Sequence, residues 1–137
     1  MPLVVDASVA LAWALPDESS AYADAVLAVV EQEGLRVPEL WAREIANGLA
    51  VAYLRKRITS ADIKAFLGAL SHLGIEVEAA SPLRVVRDGT AAALLYGLTA
   101  YDAAYVDLAS RERLVLATLD VRMRKAAEQA GVTIFRQ

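Results

Sequence analysis

Asp6, Glu44, Asp102 and Asp120 are four acidic side chains spread along a 137-residue chain that has one histidine and no cysteine. Carboxylates grouped without His or Cys suit hard, oxygen-seeking cations such as Mg²⁺ or Mn²⁺ rather than zinc. Two such ions about 3.5–4 Å apart can clamp the attacking and leaving oxygens of a phosphodiester displacement. Left without a cation, four gathered carboxylates would repel one another and raise their own pKa values. Metal relieves that strain.

Other chemistries find less support. Ser8 has no histidine near it in any motif, so a serine nucleophile lacks a base. His72, the only histidine, falls late in a helix beside Leu70 and Leu73 and reads as exposed or partly packed. No glycine loop of the phosphate-cradling type is present. The lack of cysteine removes disulfides, thiol nucleophiles and Cys-based zinc sites, and fits the cytoplasm. Uncharged stretches at 7–16, 45–54 and 89–101 fall short of the roughly 18 residues of a membrane span. The start, Met1–Asp6, has no basic region of the kind that opens a secretory signal.

The elements that must position the acids alternate. Leu3–Val5 is a short apolar run that reads as a buried parallel strand ending at Asp6. A helix over 7–15 stops before Pro16. A longer one runs from Ser19 or Ser20 to Glu33, with Tyr22, Val26, Val29 and Val30 at helical spacing and Gly34 as its stop. Leu35–Val37 is a second strand, closed by Pro38. A helix from Glu39 to about Arg57 follows. Thr59 to Asp62 has capping-box spacing and opens a helix that ends by Gly74. Ile75–Val77 is a third strand. Pro82 suits the first turn of a helix ending at Gly97.

Thr99 to Asp102 repeats the capping-box spacing and opens a helix that ends near Arg111. Leu114–Leu116 is a fourth strand, 120–130 a last helix stopped by Gly131, and Val132–Phe135 a fifth strand. This alternation predicts an α/β domain with a mostly parallel sheet of about five short strands covered on both faces. No linker, repeat or low-complexity tract divides it, so residues 1–137 read as a single domain.

In open α/β sheets, ligands bind outside the carboxyl ends of the strands, where strand order switches. Asp6 ends the first strand, Asp120 follows the fourth, and Asp102 sits in the first turn of a helix. Glu44 lies inside a helix, with Asn47 on the same face three residues on. Each has a plainer reading. Asp6 and Asp120 also suit helix N-caps, Asp102 suits a capping box with Thr99, and Glu44 suits an exposed helix edge. Net charge decides nothing. It is formally −3, and adding the four charges of two divalent cations gives +1. The basic run Arg55–Lys56–Arg57 and the group Arg122, Arg124 and Lys125 are local positive charge that a nucleic acid could use, or merely solvated helix ends.

In this order, the fragments Val4-Val5-Asp6-Ala7-Ser8, Pro38-Glu39-Leu40-Trp41 leading to Glu44 and Asn47, Leu98-Thr99-Ala100-Tyr101-Asp102-Ala103-Ala104-Tyr105, and Leu116-Ala117-Thr118-Leu119-Asp120 resemble the PIN-domain ribonucleases, most closely the VapC toxins of toxin–antitoxin pairs. The resemblance runs from Val4 to Phe135. It implies a three-layer α/β/α fold and endonucleolytic cleavage of RNA with Mg²⁺ or Mn²⁺, one or two ions per site. Asp6, Glu44, Asp102 and Asp120 would be the metal-site acids, with Asp6 and Asp102 the direct ligands of first choice. Ser8 and Thr118 would support the pocket through hydrogen bonds, and Asn47 would position Glu44 or a phosphate. A homodimer and a cognate antitoxin protein are implied as well.

Asp107 departs from the family pattern. Five residues past Asp102, it turns about 140° away on an ideal helix, which makes it a solvent or interface residue rather than a further ligand. Trp13 and Tyr22 are either core or part of a partner-helix surface. The alternatives in function are a catalytically silent PIN-fold domain that only binds partners, and a Mg²⁺-dependent phosphatase phosphorylated on Asp6. The second Asp that such a phosphatase would want at the place of Ser8 is absent.

Overall fold

The computed structural model describes residues 1–137. Its strands are β1 (Leu3–Val5), β2 (Leu35–Pro38), β3 (Ile75–Glu78) and β4 (Leu116–Ala117). Its helices are α1 (Ala7–Ala12), α2 (Ala21–Glu33), α3 (Leu40–Leu54), α4 (Ser60–Leu70), α5 (Pro82–Tyr96), α6 (Ala100–Glu112) and α7 (Val121–Gln129), with a 3-10 turn at Pro16–Glu18. All pairings are parallel, and the sheet order is β3-β2-β1-β4. The fifth expected strand shrinks to one parallel bridge, Leu116 with Ile134.

The order of the strands fixes the layers. From β1 to β3 the chain steps one way across the sheet, then doubles back to place β4 on the free side of β1. Parallel crossovers are right-handed, so reversing the step moves the connecting helices to the other face. Helices α1 to α4 therefore cover one face and α5 to α7 the other. The packing agrees: α1 lies on α2 and α3, while α6 lies on β1, β2, β4, α5 and α7. Between them is a core of 31 buried residues, with Val4, Val5, Leu35, Val37, Leu108 and Leu116 at its centre.

One kind of closure ends four of the helices, and it moves the end of α3 and the start of β4 from where the sequence places them. Helices α3, α5, α6 and α7 each close with a residue at positive φ, namely Lys56, Gly97, Arg113 and Gly131. In each case the next amide bonds the carbonyl five residues back: Arg57 to Ala52, Leu98 to Ala93, Leu114 to Ala109 and Val132 to Ala127. This is the Schellman closure. It spends the Leu114 amide on α6, so β4 starts at Leu116 rather than Leu114. It also ends α3 before Arg57. Helix α4 ends at Leu70, after which i→i+3 bonds from His72 and Leu73 tighten the turn.

Helix α1 stops at Ala12 rather than running to Leu15. Trp13 and Ala14 bond only three residues back, and Leu15 is extended, as the residue before a proline prefers. Strand β3, with glutamates at alternate positions, is the sheet edge, and its Val77 is exposed.

Candidate active site

Strand order reverses between β1 and β4, and this is where the acids gather. The two strands pair Val5 with Ala117. Asp6 and Thr118 therefore leave the sheet side by side, held by an Asp6 N–H bond to the Ala117 carbonyl at 3.0 Å. Both are buried, and apart from aromatic side chains they are the only buried residues with a polar side chain. Asp6 Oδ2 accepts hydrogen bonds from Ser8 Oγ at 2.8 Å and Thr118 Oγ1 at 3.0 Å. Thr118 Oγ1 in turn accepts the Asp120 amide at 3.1 Å. Asp120 is exposed and caps α7 by accepting the Met123 amide on Oδ1, which leaves Oδ2 without a partner.

The other two acids come from facing helices. Asp102 lies in the first turn of α6, where its amide donates to Thr99 Oγ1. Its carboxylate does not accept the Thr99 amide, in contrast to Asp62 of α4, whose carboxylate completes a capping box with Thr59. Thr99 thus caps the Asp102 backbone and its hydroxyl opposes the rise in the Asp102 pKa, but the reciprocal half of a capping box is missing. Glu44 reaches in from α3, and its Oε1 accepts the Tyr105 hydroxyl at 2.6 Å.

Charges on these groups act on one another. Burial pushes the Asp6 carboxyl above its ordinary pKa, opposed by the Ser8 and Thr118 hydrogen bonds and reinforced by Asp120. Glu44 is raised first by burial, then by Asp6 and Asp102, against the Tyr105 bond. Asp102 is raised by burial, then by Asp120 and Asp6, with Arg122 pulling the other way. Burial and then Glu44 push the Tyr105 phenol far up, so it stays protonated and donates. The four carboxylates thus lie within one another's fields. As the side chains stand, no three of them are close enough to hold a single ion. Mg²⁺ keeps several waters and commonly takes only one or two carboxylates, so the oxygen-only donor set fits such a cation.

Several sequence expectations are redrawn. Asn47 is exposed and makes no side-chain hydrogen bond, so the group that orients Glu44 is Tyr105. Periodicity marks Tyr105 only as a core position, and its hydroxyl partner lies 61 residues away. Tyr22 is half-buried beside Thr118. Its hydroxyl donates to the Phe135 carbonyl and accepts the Thr118 amide, while Arg124 sits over its ring and donates to the Thr118 carbonyl. Trp13 Nε1 donates to the Ala23 carbonyl. Within the basic run, Arg57 grips Asp17 through two bonds of 2.9 and 3.0 Å, leaving Arg55 and Lys56 exposed and unpaired. Asp107 is ion-paired with Arg111.

A cavity of about 370 Å³ does not contain the acids. It adjoins them through Arg43 and Tyr101, the neighbours of Glu44 and Asp102, and runs between α5, α6 and the end of β3. Of its four carboxylates, Glu78, Asp88 and Asp107 are each matched to an arginine, and Glu39 is exposed without an ion pair. The carboxylates that burial raises above their ordinary pKa values sit at the sheet's switch point, which makes that edge the candidate site.

The sequence profile of the family described as PIN domain matches residues 3–129, a span that includes all four acids. The chain belongs to the PIN-domain family. Ribonuclease VapC3 of Pyrobaculum aerophilum is 36% identical to this PIN domain over 129 residues, which is 94% of this chain and 95% of the relative. A crystal structure of PAE2754, also from Pyrobaculum aerophilum, superposes with a TM-score of 0.62 at 27% identity, covering 92% of this chain and 86% of that one.

Proposed function

We propose that this PIN domain is a divalent-metal-dependent endoribonuclease and the toxin of a toxin–antitoxin pair, working as one domain over residues 1–137 in the cytoplasm. The observation that carries the reading is the gathering of Asp6, Glu44 and Asp102 at the switch point between β1 and β4, where burial raises all three and Asp6 further raises Glu44 and Asp102. A protein keeps unbalanced buried carboxylates together where a cation balances them. The likeness to Ribonuclease VapC3 over nearly the whole chain supports RNA as the substrate and a cognate antitoxin as the partner. A homodimer rests on the family resemblance. No helix is long and apolar enough to cross a membrane.

In this reading Asp6 and Asp102 hold Mg²⁺ or Mn²⁺ directly, with Glu44 and Asp120 completing the site for one or two ions. Such a cation acidifies a water and stabilises the leaving oxygen of the phosphodiester. The chain's own part is to hold the donors still. Ser8 and Thr118 fix one oxygen of Asp6 and leave Oδ1 with only a long, 3.4 Å approach from the Ser8 amide. Tyr105 fixes one oxygen of Glu44. Arg55 and Lys56 supply unpaired positive charge for the RNA backbone.

Purified protein should cut RNA with Mg²⁺ or Mn²⁺, stop on addition of EDTA, and lose activity as Asp6→Asn. Failure to cut any RNA, together with failure to bind Mn²⁺, would sink the reading.

A further inference from the structure

We infer that Tyr105 is a positioning residue of the acidic site, its buried hydroxyl setting where Glu44 stands relative to Asp6 and Asp102. This rests on the metal-site reading above and adds a residue to it.

Tyr105 is fully buried, and its side chain is the largest in the core to be so. A buried tyrosine hydroxyl usually finds a partner, because leaving it unpaired is costly. Here the partner is a carboxylate from another helix, 2.6 Å away, rather than a nearby carbonyl. Tyr105 follows Asp102 by three residues on α6 and so shares its face. One helix therefore presents an acid to the site directly and grips a second acid, from α3, through a phenol. The grip takes Glu44 Oε1 and leaves Oε2 free, and Glu44 has no other hydrogen bond to fix its rotamer. The aromatic ring fills the core whether or not the hydroxyl is present, so the two roles separate on removing one oxygen atom.

Groups that orient metal-binding carboxylates typically change metal affinity about 10- to 100-fold when removed. The experiment is Mn²⁺ titration, followed by the electron paramagnetic resonance of free Mn²⁺, on wild type, Tyr105→Phe, Glu44→Gln and the double variant. RNA cleavage is measured on the same samples. Tyr105→Phe should weaken Mn²⁺ binding about tenfold, within that range. It should raise the Mn²⁺ concentration for half-maximal cleavage by the same factor, with the KM for RNA unchanged. Adding Tyr105→Phe to Glu44→Gln should cost no further affinity, because the phenol acts through Glu44.

Glu44→Asp keeps the charge but is too short for the phenol, so it should show a similar loss. It provides the test should Tyr105→Phe fold poorly. Wild-type Mn²⁺ affinity in Tyr105→Phe or in Glu44→Asp overturns the inference, as does an additive loss in the double variant, which would mark Tyr105 as packing only. In those cases wild-type cleavage of RNA still stands. A wild-type protein that neither binds Mn²⁺ nor cuts RNA overturns both readings.

Discussion

Thr118 Oγ1 stands 3.0 Å from Asp6 Oδ2 and donates to it, joining residues 112 apart in sequence at the ends of two neighbouring strands. The same oxygen accepts the Asp120 amide, so one hydroxyl holds two of the acids. Thr118→Val keeps the shape and loses both bonds. It should cost roughly 1–3 kcal/mol of stability, the usual penalty for orphaning buried polar groups, and reduce cleavage. Thr118→Ser should keep most of both. Urea unfolding midpoints beside cleavage rates test this, and a valine variant as active as wild type would remove Thr118 from the site.

Asp6→Asn and Asp102→Asn should each cut RNA at least about a hundredfold more slowly, beyond the usual effect of losing a merely supporting group. Circular dichroism should stay that of the wild type. Full activity in either variant removes that carboxylate from the mechanism.

Metal-free protein should lose stability as pH rises. Asp6, Glu44 and Asp102 all have folded-state pKa values above their ordinary ones, with burial the main cause. Between those ordinary and raised values the folded state binds more protons than the unfolded chain. Stability therefore falls with rising pH across that window and levels off above it. Asp17, Glu33 and Asp88 are lowered by their cationic partners and act the opposite way, at pH values below the ordinary carboxylate range. Asp6→Asn removes one raised group, so its stability relative to wild type should grow as pH rises from the ordinary Asp value of about 4 through the raised one. Denaturation midpoints of metal-stripped protein that run parallel across this range would contradict the sign.

The basic run should divide in its effect on RNA. Arg55→Ala with Lys56→Ala should weaken binding and flatten its salt dependence, by roughly 0.7 in slope for each single-strand phosphate that the two side chains neutralise. Arg57→Ala should leave that slope unchanged, because its guanidinium is already committed to Asp17 and Glu18. Equal slopes for both variants would place the RNA path elsewhere.

The parallel α/β plan is legible in the sequence because its signals are local. Ser20, Thr59, Ser81, Thr99 and Asp120 cap the helices they precede, and Gly34 and Gly97 follow helices. Gly34 is required outright. Its φ is +78°, and a Cβ there would meet the Gly74 carbonyl oxygen at 2.7 Å. Boundaries differ from the sequence reading where closure depends on a non-glycine residue at positive φ, as at Lys56 and Arg113. These residues carry no sequence signal for that conformation.

Of the site, the acids are visible as residue types at strand and helix ends, but their partners are not. Tyr105 with Glu44, Tyr22 with Thr118 and Arg57 with Asp17 are long-range pairs, each created by packing. Asn47 looks the better partner for Glu44 in sequence because i,i+3 proximity is what a sequence displays. A phenol from another helix is what the fold supplies.

The two-residue strand β4 has a consequence for which length changes the gene can tolerate. Its pairing with β1 sets Val5 against Ala117, and the next step in each chain is Asp6 and Thr118. Successive strand residues point to opposite faces, so a one-residue shift would turn Thr118 away from Asp6. In a scan of in-frame single-codon deletions, codons 115–117 should be as intolerant as codon 6 itself. Codons 79–81, in the largely exposed turn before α5, should accept loss far more readily.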